Sequence, residues 1–593
     1  MKSILYFTLL ALGTFLFSCK PETPQTPASK TKAYLLANLD TLQHSAEHQL
    51  LRLAIAGSSD SLRLAFQEAR RRYKKVELFT EYYAPTASKA LNGAPLPEYE
   101  VLESKSFEPS GLQVIEEYLY PTFDTTNREE LVREAKKFVS VLGRARVILR
   151  ETELEEANIL NACKQEIYRI MVLGISGFDT PLTNTGVAEA AVSLTAVQEV
   201  LSFFGEHPEL QQLLQEAIHY TSSSEDFDAF DRLAFITRFA NPITSYITNW
   251  QQELQIDDLP NRLVLNSKAA TLFDKDALNN DAFAGSADAA STPDKVALGK
   301  ALFFSPVVSG NTSTCSTCHQ PELAFTDGLP KSASLVKGKF VQRNAPTLYY
   351  AGLQHSQFYD MRATTLESQA VDVIRNKDEM HASVEEAAQR LNQQPDFVQA
   401  FQTAFPGMET EIQPRHVMLV LASYVRSLTP FNSRFDRHMR GKEGQLSAEE
   451  IKGFNLFMGK AKCGTCHFMP VFNGTAAPAF TNTEAEVLGV LADPKAPHPT
   501  LDPDKGRYGF TPLDGLQHAF KTPTLRNISK TAPYMHNGAY ETLEEVMDFY
   551  NKGGAAGMGL QLENQTLPPD PLNLTPEETK AIIAFLQTLT DEV

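Results

Sequence analysis

Cys315-Ser316-Thr317-Cys318-His319 is the stretch from which the rest of this chain can be read. Two thiols at i and i+3, with an imidazole directly after the second, can form thioethers to the vinyl groups of one haem and ligate its iron. The motif therefore reads as c-type haem attachment. It recurs as Cys463-Gly464-Thr465-Cys466-His467. The competing reading is a zinc site, or an oxidoreductase CxxC followed by an incidental histidine. A Cys₂His set needs a fourth ligand each time, and a structural zinc pair usually brings a second CxxC or an HxxxH nearby, which neither stretch shows. Two covalently bound c-type haems are the expected cofactors, with His319 and His467 as ligands to the two irons.

The remaining cysteines fit an exported protein. Of six in the chain, four go to haem, leaving Cys19 and Cys163. Lys2 precedes an apolar run from Ile4 to Phe17, which reads as a signal peptide over residues 1–18. The ending Leu16-Phe17-Ser18-Cys19 resembles a bacterial lipobox, making Cys19 a lipidated residue; the alternative is a plain signal peptide with an incidental cysteine. Residues 19–35, rich in Pro, Thr and Ser, then read as a tether holding the body at the periplasmic side of a bacterial membrane. Cys163 lies in a helical pattern and reads as a buried, inert thiol.

At 593 residues the chain is too long for one core, and ~100–200 residues per domain suggests three or four domains. The net charge of −18 argues against nucleic acid and for a basic partner met by electrostatic steering, such as a small basic cytochrome. Residues 36–278 read as an all-helical domain. Asp60 to Tyr83, for example, repeats apolar residues at three and four and predicts one amphipathic helix, with its basic run, Arg70 to Lys75, on a mostly solvated face. Further helices are expected over 129–151, 155–173, 187–204, 208–220 and 226–239. Residues 279–293 are small, polar and aperiodic, and read as a linker. Beyond them the chain is internally duplicated. Gly299-Lys300-Ala301-Leu302-Phe303 precedes the first CxxCH and Gly453-Phe454-Asn455-Leu456-Phe457 the second; Pro346-Thr347-Leu348 and Pro523-Thr524-Leu525 follow them, then Thr365-Leu366-Glu367 and Thr542-Leu543-Glu544. The expected fold is all-α: an N-terminal helical bundle, then two cytochrome c-like haem domains over 294–435 and 436–593.

Residues 290–593 resemble the bacterial dihaem cytochrome c peroxidase/MauG family. The resemblance rests on both CxxCH motifs with "LGKALFF", "RNAPTL", "FYDMRATTLESQA", "KDEM", "FDRHMRGK", "FKTPTLRN" and "TAPYMHNGAYETLEEV", in family order. It implies a peroxidatic first haem, an electron-relaying second haem and a Ca²⁺ ion between them. Peroxide cleavage needs a group that takes a proton from one oxygen and returns it to the other. The resemblance makes this Glu379, with Gln369 orienting the peroxide. Asn344, Thr531 and Pro533 match the family's calcium ligands, the last two through backbone carbonyls.

Three departures from the family pattern carry expectations. Many members have a histidine after the first CxxCH that caps the resting iron; the loop from Pro330 to Gln342 has none, so an open first haem is expected, with His355 and His381 as weaker substitutes. Counting fourteen residues from His536 reaches Tyr550, where many members have a methionine. Tyr550 is thus the expected second ligand of haem two, with Met547 as the alternative. Tyr359 stands where the family commonly has a tryptophan between the haems. The implied function is reduction of hydrogen peroxide to water with electrons from an external donor such as a small cytochrome. The alternatives are oxidation of a partner protein and a non-catalytic electron-transfer cytochrome.

Overall fold

Thr26 and Pro27 start the first described helix, α1 (Pro27–Ser45): the Thr26 hydroxyl accepts the Ser29 N–H at 3.1 Å and Pro27 fills the first helical position. Leu35, Leu39 and Leu42 then bury one face. The tether expected over 19–35 therefore ends by residue 26, because its Pro and Thr act as helix-start signals. The structure, a computed structural model, describes residues 25–100, 105–260, 263–408, 411–442 and 444–592. The expected signal peptide and Cys19 lie outside the described residues.

The next helix departs from expectation twice. α2 (Ser59–Lys74) stops before Val76, and α3 (Glu77–Tyr83) follows as a separate helix. Arg70 and Lys74, expected on a solvated face, are 1% and 3% exposed. Arg70 forms a two-point pair with Glu189 (2.7 and 2.8 Å), while Lys74 reaches Glu77 (2.8 Å) and Asp179 (2.6 Å). Arg169 grips Asp179 through two bonds of 2.7 and 2.8 Å. Helical period marks a position as polar, but it cannot say that a polar residue will find a buried partner from another helix.

Helices α4 (Arg128–Glu151), α5 (Glu156–Arg169), α6 (Gly186–Ser202) and α7 (Pro208–Ser222) lie within two residues of expectation, except that α5 passes into a wider turn at Ile170–Gly174. The helix expected over 226–239 begins only at Arg232, where Asp231 caps it, and α8 (Asn241–Glu253) continues its path. Cys163 is fully buried on α5, and burial pushes its thiol well above the ordinary range.

This N-terminal half packs directly on the second CxxCH. The Phe178 ring meets Phe468 edge-on at 6.1 Å, the Lys462 ammonium donates to Pro181 O at 3.1 Å, and the Asn455 amide bridges Leu233 N–H and Asp231. Residues 279–292 run as an irregular strap pinned by Asp281 to Ser291 and by Arg426 to Ala289 O.

Beyond the strap one local design is built twice. α9 (Pro293–Phe303) and α10 (Leu366–Arg375) pack on α11 (Pro414–Arg426) in the half with the first CxxCH; α12 (Ala448–Met458) and α13 (Leu543–Asn551) pack on α14 (Pro576–Gln587) in the half with the second. The helix before each motif crosses a later helix at a glycine. A Cβ on Gly299 would lie 1.9 Å from Val420 O, and one on Gly453 would lie 1.9 Å from Ala581 O, so neither position can hold a larger residue without separating the helices. Thr365 and Thr542 each close a capping box at the start of α10 and α13. The only named strands among the described residues are two short antiparallel pairs, β1 (Glu98–Glu100) with β2 (Lys105–Phe107), and β3 (Ala485–Val487) with β4 (Ala519–Lys521). No helix among the described residues is long and apolar enough to cross a membrane.

Candidate active site

Both CxxC segments form a single tight turn, with His319 N–H donating to Cys315 O (3.1 Å) and His467 N–H to Cys463 O (3.0 Å). Each imidazole is then fixed from behind. Nδ1 of His319 pairs with Phe325 O at 2.9 Å and Nδ1 of His467 with Phe472 O at 3.2 Å, which orients each ring as a metal-ligating histidine is usually oriented. The two carbonyls can point inward because Phe325 and Phe472 adopt left-handed backbone (φ 59° and 55°). Burial lowers the proton affinity of both rings, His467 to about 4, which favours the neutral form that ligates a metal. Cys315, Cys318, Cys463 and Cys466 are all free of disulfides and only half-buried, although burial pushes Cys315 and Cys463 up to about 12. Two half-open thiols and a neutral imidazole at each motif are the donor set that covalent haem attachment needs.

Opposite the first motif stands the turn that follows α10. Glu379 is half-buried there, and the Asn376 amide donates to its carboxylate at 2.6 Å. Burial raises the Glu379 pKa, against the Asn376 hydrogen bond and the charge of Arg362. The turn is tied to the segment leading into the first motif, since the Asn311 amide donates to Met380 O at 2.8 Å. Gln369 lies on α10 two turns before Asn376, so the two share a face. The loop after the motif folds into a hairpin and ties to the same turn, Leu335 N–H donating to Asp378 O at 3.1 Å. His381 is exposed two residues beyond Glu379, while His355 packs against Phe283.

The second motif faces different chemistry. Tyr550 on α13 is half-buried, and its phenol is pushed well up by burial and then by the neighbouring Cys466 and Cys463. Met547, one turn earlier, is 5% exposed and belongs to the core. Two acids that were not foreseen lie nearby. Glu484 is pushed up to about 7 by burial and then by Glu486, and Glu486 is raised by burial against hydrogen bonds from Thr566 and Cys466. Glu484 just before β3 and Glu486 within it are spaced i and i+2 and so share one face, a pattern present in the sequence but too short to single out.

Tyr359 sits at the junction of the two repeats, its carbonyl accepting Lys521 N–H from β4 at 2.7 Å. Burial lowers the Lys521 amine to about 7, and its Nζ donates to Ser356 O at 3.1 Å. Asn344 joins the same junction: its N–H donates to His536 O and its side-chain amide to Leu329 O, both at 2.8 Å, which turns Oδ1 the other way. Thr531 and Pro533 lie on the segment leading to His536. Asn344 Oδ1 and two carbonyls make a neutral oxygen set, short of the six to eight ligands Ca²⁺ takes. No cluster of three acidic, His or Cys side chains suited to a metal occurs among the described residues. Other motif residues are structural. Arg526 of "TLRN" and Asp436 of "FDRH" form a buried two-point ion pair (2.8 and 2.7 Å).

Two CxxCH pockets on a repeated helical scaffold, one faced by a carboxylate and one by a phenol, define a dihaem c-type oxidoreductase. Residues 293–444 match the family model described as di-haem cytochrome c peroxidase. The methylamine utilization protein MauG of Methylorubrum extorquens is 36% identical over 302 residues, 51% of this chain and 79% of the relative. The cytochrome c551 peroxidase of Nitrosomonas europaea is 31% identical over 302 residues, 50% of this chain and 80% of the relative. A crystal structure of a MauG-like protein associated with microbial copper homeostasis aligns with TM-score 0.44 and 31% identity, covering 52% of this chain and 92% of that one. The chain belongs to the dihaem cytochrome c peroxidase/MauG family.

Proposed function

We propose that this protein reduces hydrogen peroxide to water at the first CxxCH pocket, taking electrons from an external donor by way of the second. The observation that carries the reading is the position of Glu379: half-buried, held by Asn376, in a turn tied through Met380 O to Asn311 just before the first motif. The haem supplies the iron that binds and reduces the peroxide. Glu379 takes a proton from the near oxygen of peroxide and delivers it to the departing one. Its raised pKa suits a group that must both accept and release a proton. Gln369 orients the peroxide, and Asn376 holds the carboxylate in place. Tyr359 lies on the route between the repeats. Tyr550, rather than Met547, closes the second pocket, and a phenolate ligand there favours the oxidised iron.

In this reading the N-terminal helices form a bundle joined to two cytochrome c-like haem domains. Ca²⁺ bound by Asn344, Thr531 and Pro533, and anchoring to the periplasmic side of a membrane through Cys19, complete the proposal. Oxidation of a partner protein is the second reading, and Tyr550 is the residue that favours it. The deciding experiment is peroxide turnover by Glu379→Gln holoprotein with both haems attached. Turnover lost while the resting spectrum is kept supports the reading, and turnover at the parent rate refutes it.

A further inference from the structure

The core between the two CxxCH sites holds a phenol that the proposed reaction leaves unused. Tyr350 is fully buried and adopts left-handed backbone (φ 62°), unusual for a bulky residue. Its hydroxyl donates to the Asp591 carboxylate at 2.7 Å and accepts the Phe431 N–H at 3.0 Å. Asp591 is itself buried, and it is held by the Asn527 amide (2.9 Å) and the Asn432 N–H (3.1 Å). Tyr350 comes from the half with the first motif and Asp591 from the half with the second, so the pair exists only across the seam between them.

A line of packed side chains joins this pair to the carbonyls that hold both histidines. Phe325, whose carbonyl fixes His319, meets Tyr349 edge-on at 5.1 Å, and Tyr349 meets Tyr350 at 6.4 Å. On the other side the Arg526 guanidinium lies 4.9 Å from the Tyr350 ring centre and 6.0 Å from that of Phe472, whose carbonyl fixes His467. Asp436 balances the charge of Arg526 through two bonds of 2.8 and 2.7 Å, and Asp591, 4.0 Å from the same guanidinium, adds a second negative charge. The three charged groups therefore sum to one negative charge beside the phenol, which favours removal of an electron from it. A tyrosine that loses an electron also gives up its phenolic proton, and Asp591 stands where the base that takes it is needed.

We propose that Tyr350 is an electron relay between the two CxxCH sites, with Asp591 as its proton acceptor. The first site, oxidised by peroxide, takes one electron from Tyr350. The phenolic O–H bond breaks, the proton moves to Asp591 Oδ2 and a neutral tyrosyl radical remains. An electron from the external donor, arriving by way of the second site, then reduces the radical as the proton returns from Asp591. Each passage moves one electron and restores both residues, so two passages supply the two electrons that peroxide consumes. The relay rests on the proposed function for its oxidant and its donor. It adds a second route through the core to the one at Tyr359, which joins the halves at β4 instead.

The test is electron paramagnetic resonance of the full-length ferric holoprotein, frozen after one equivalent of peroxide is added with no reductant present. A second sample is oxidised by hexachloroiridate with no peroxide. The parent should show a tyrosyl-radical signal with either oxidant. Tyr350→Phe should lose that signal while keeping the resting spectrum of both haems, and Tyr359→Phe should retain it. Asp591→Asn keeps an oxygen facing the phenol but cannot take its proton, so it should lose most of the signal; it carries the same test if Tyr350→Phe fails to fold. A purely structural hydrogen bond would leave the signal undiminished in both variants. The proposal is overturned by that result, by a signal that disappears in Tyr359→Phe instead, or by a parent that forms no tyrosyl radical with either oxidant. A Tyr350-dependent signal with hexachloroiridate but no reaction with peroxide would count against the peroxidase reading alone.

Discussion

Around residues 315–319 and 463–467 the molecule builds the same attachment site twice. A helix crosses its neighbour at Gly299 or Gly453, a tight CxxC turn follows, and a left-handed phenylalanine, Phe325 or Phe472, holds Nδ1 of the histidine. A capped helix then supplies the opposite face. The two sites diverge on that helix and just beyond it. α10 leads to Asn376 and Glu379, the pair proposed to handle protons, while α13 presents Tyr550, whose phenol is raised by burial and by Cys466 and Cys463. In the proposed function the shared half attaches a haem and the unshared half sets its reactivity.

The comparison breaks most visibly at Glu379. Glu379→Gln should lower peroxide turnover by about 10²–10⁴-fold, the range for loss of a general acid–base group, with the resting spectrum of both haems unchanged; steady-state assays and absorption spectra check this. Tyr550→Phe should act on the other site, converting the second haem from six- to five-coordinate without changing the first, as read by electron paramagnetic resonance. Met547→Leu should leave both haems as they were, and loss of the second haem's ligand in that variant would make Met547 the ligand instead. The smallest effect belongs to Asn376→Ala. The Asn376 hydrogen bond lowers the Glu379 pKa, so its removal moves that pKa further up. The acid limb of kcat/KM should therefore shift to higher pH, with turnover at high pH reduced by about tenfold or less.

The attachment sites were legible because a covalent cofactor demands fixed residues at fixed spacing, and CxxCH carries that demand whole. The helices of the N-terminal half were legible from their apolar period. Arg70 and Lys74 were misread because their partners, Glu189, Glu77 and Asp179, are brought together by tertiary packing, and local patterning carries no trace of that. The break between α2 and α3 follows from the same burial, since Lys74 and Glu77 both turn inward around it. Thr26 and Pro27 read as tether composition until the buried leucines of α1 are counted with them. Glu484 and Glu486 carried no signal, since a three-residue strand is too short to reveal its alternation. Asn376 was passed over because its role exists only through the turn that brings Glu379 back to it.

The central claim is that the first pocket is open to peroxide at rest while the second is closed by Tyr550. It is tested most directly by the spectrum of the ferric holoprotein before and after adding peroxide, with no reductant present. The account predicts one high-spin and one low-spin ferric haem at rest, and a prompt change on adding peroxide. A purely low-spin resting spectrum that peroxide leaves unchanged would contradict it.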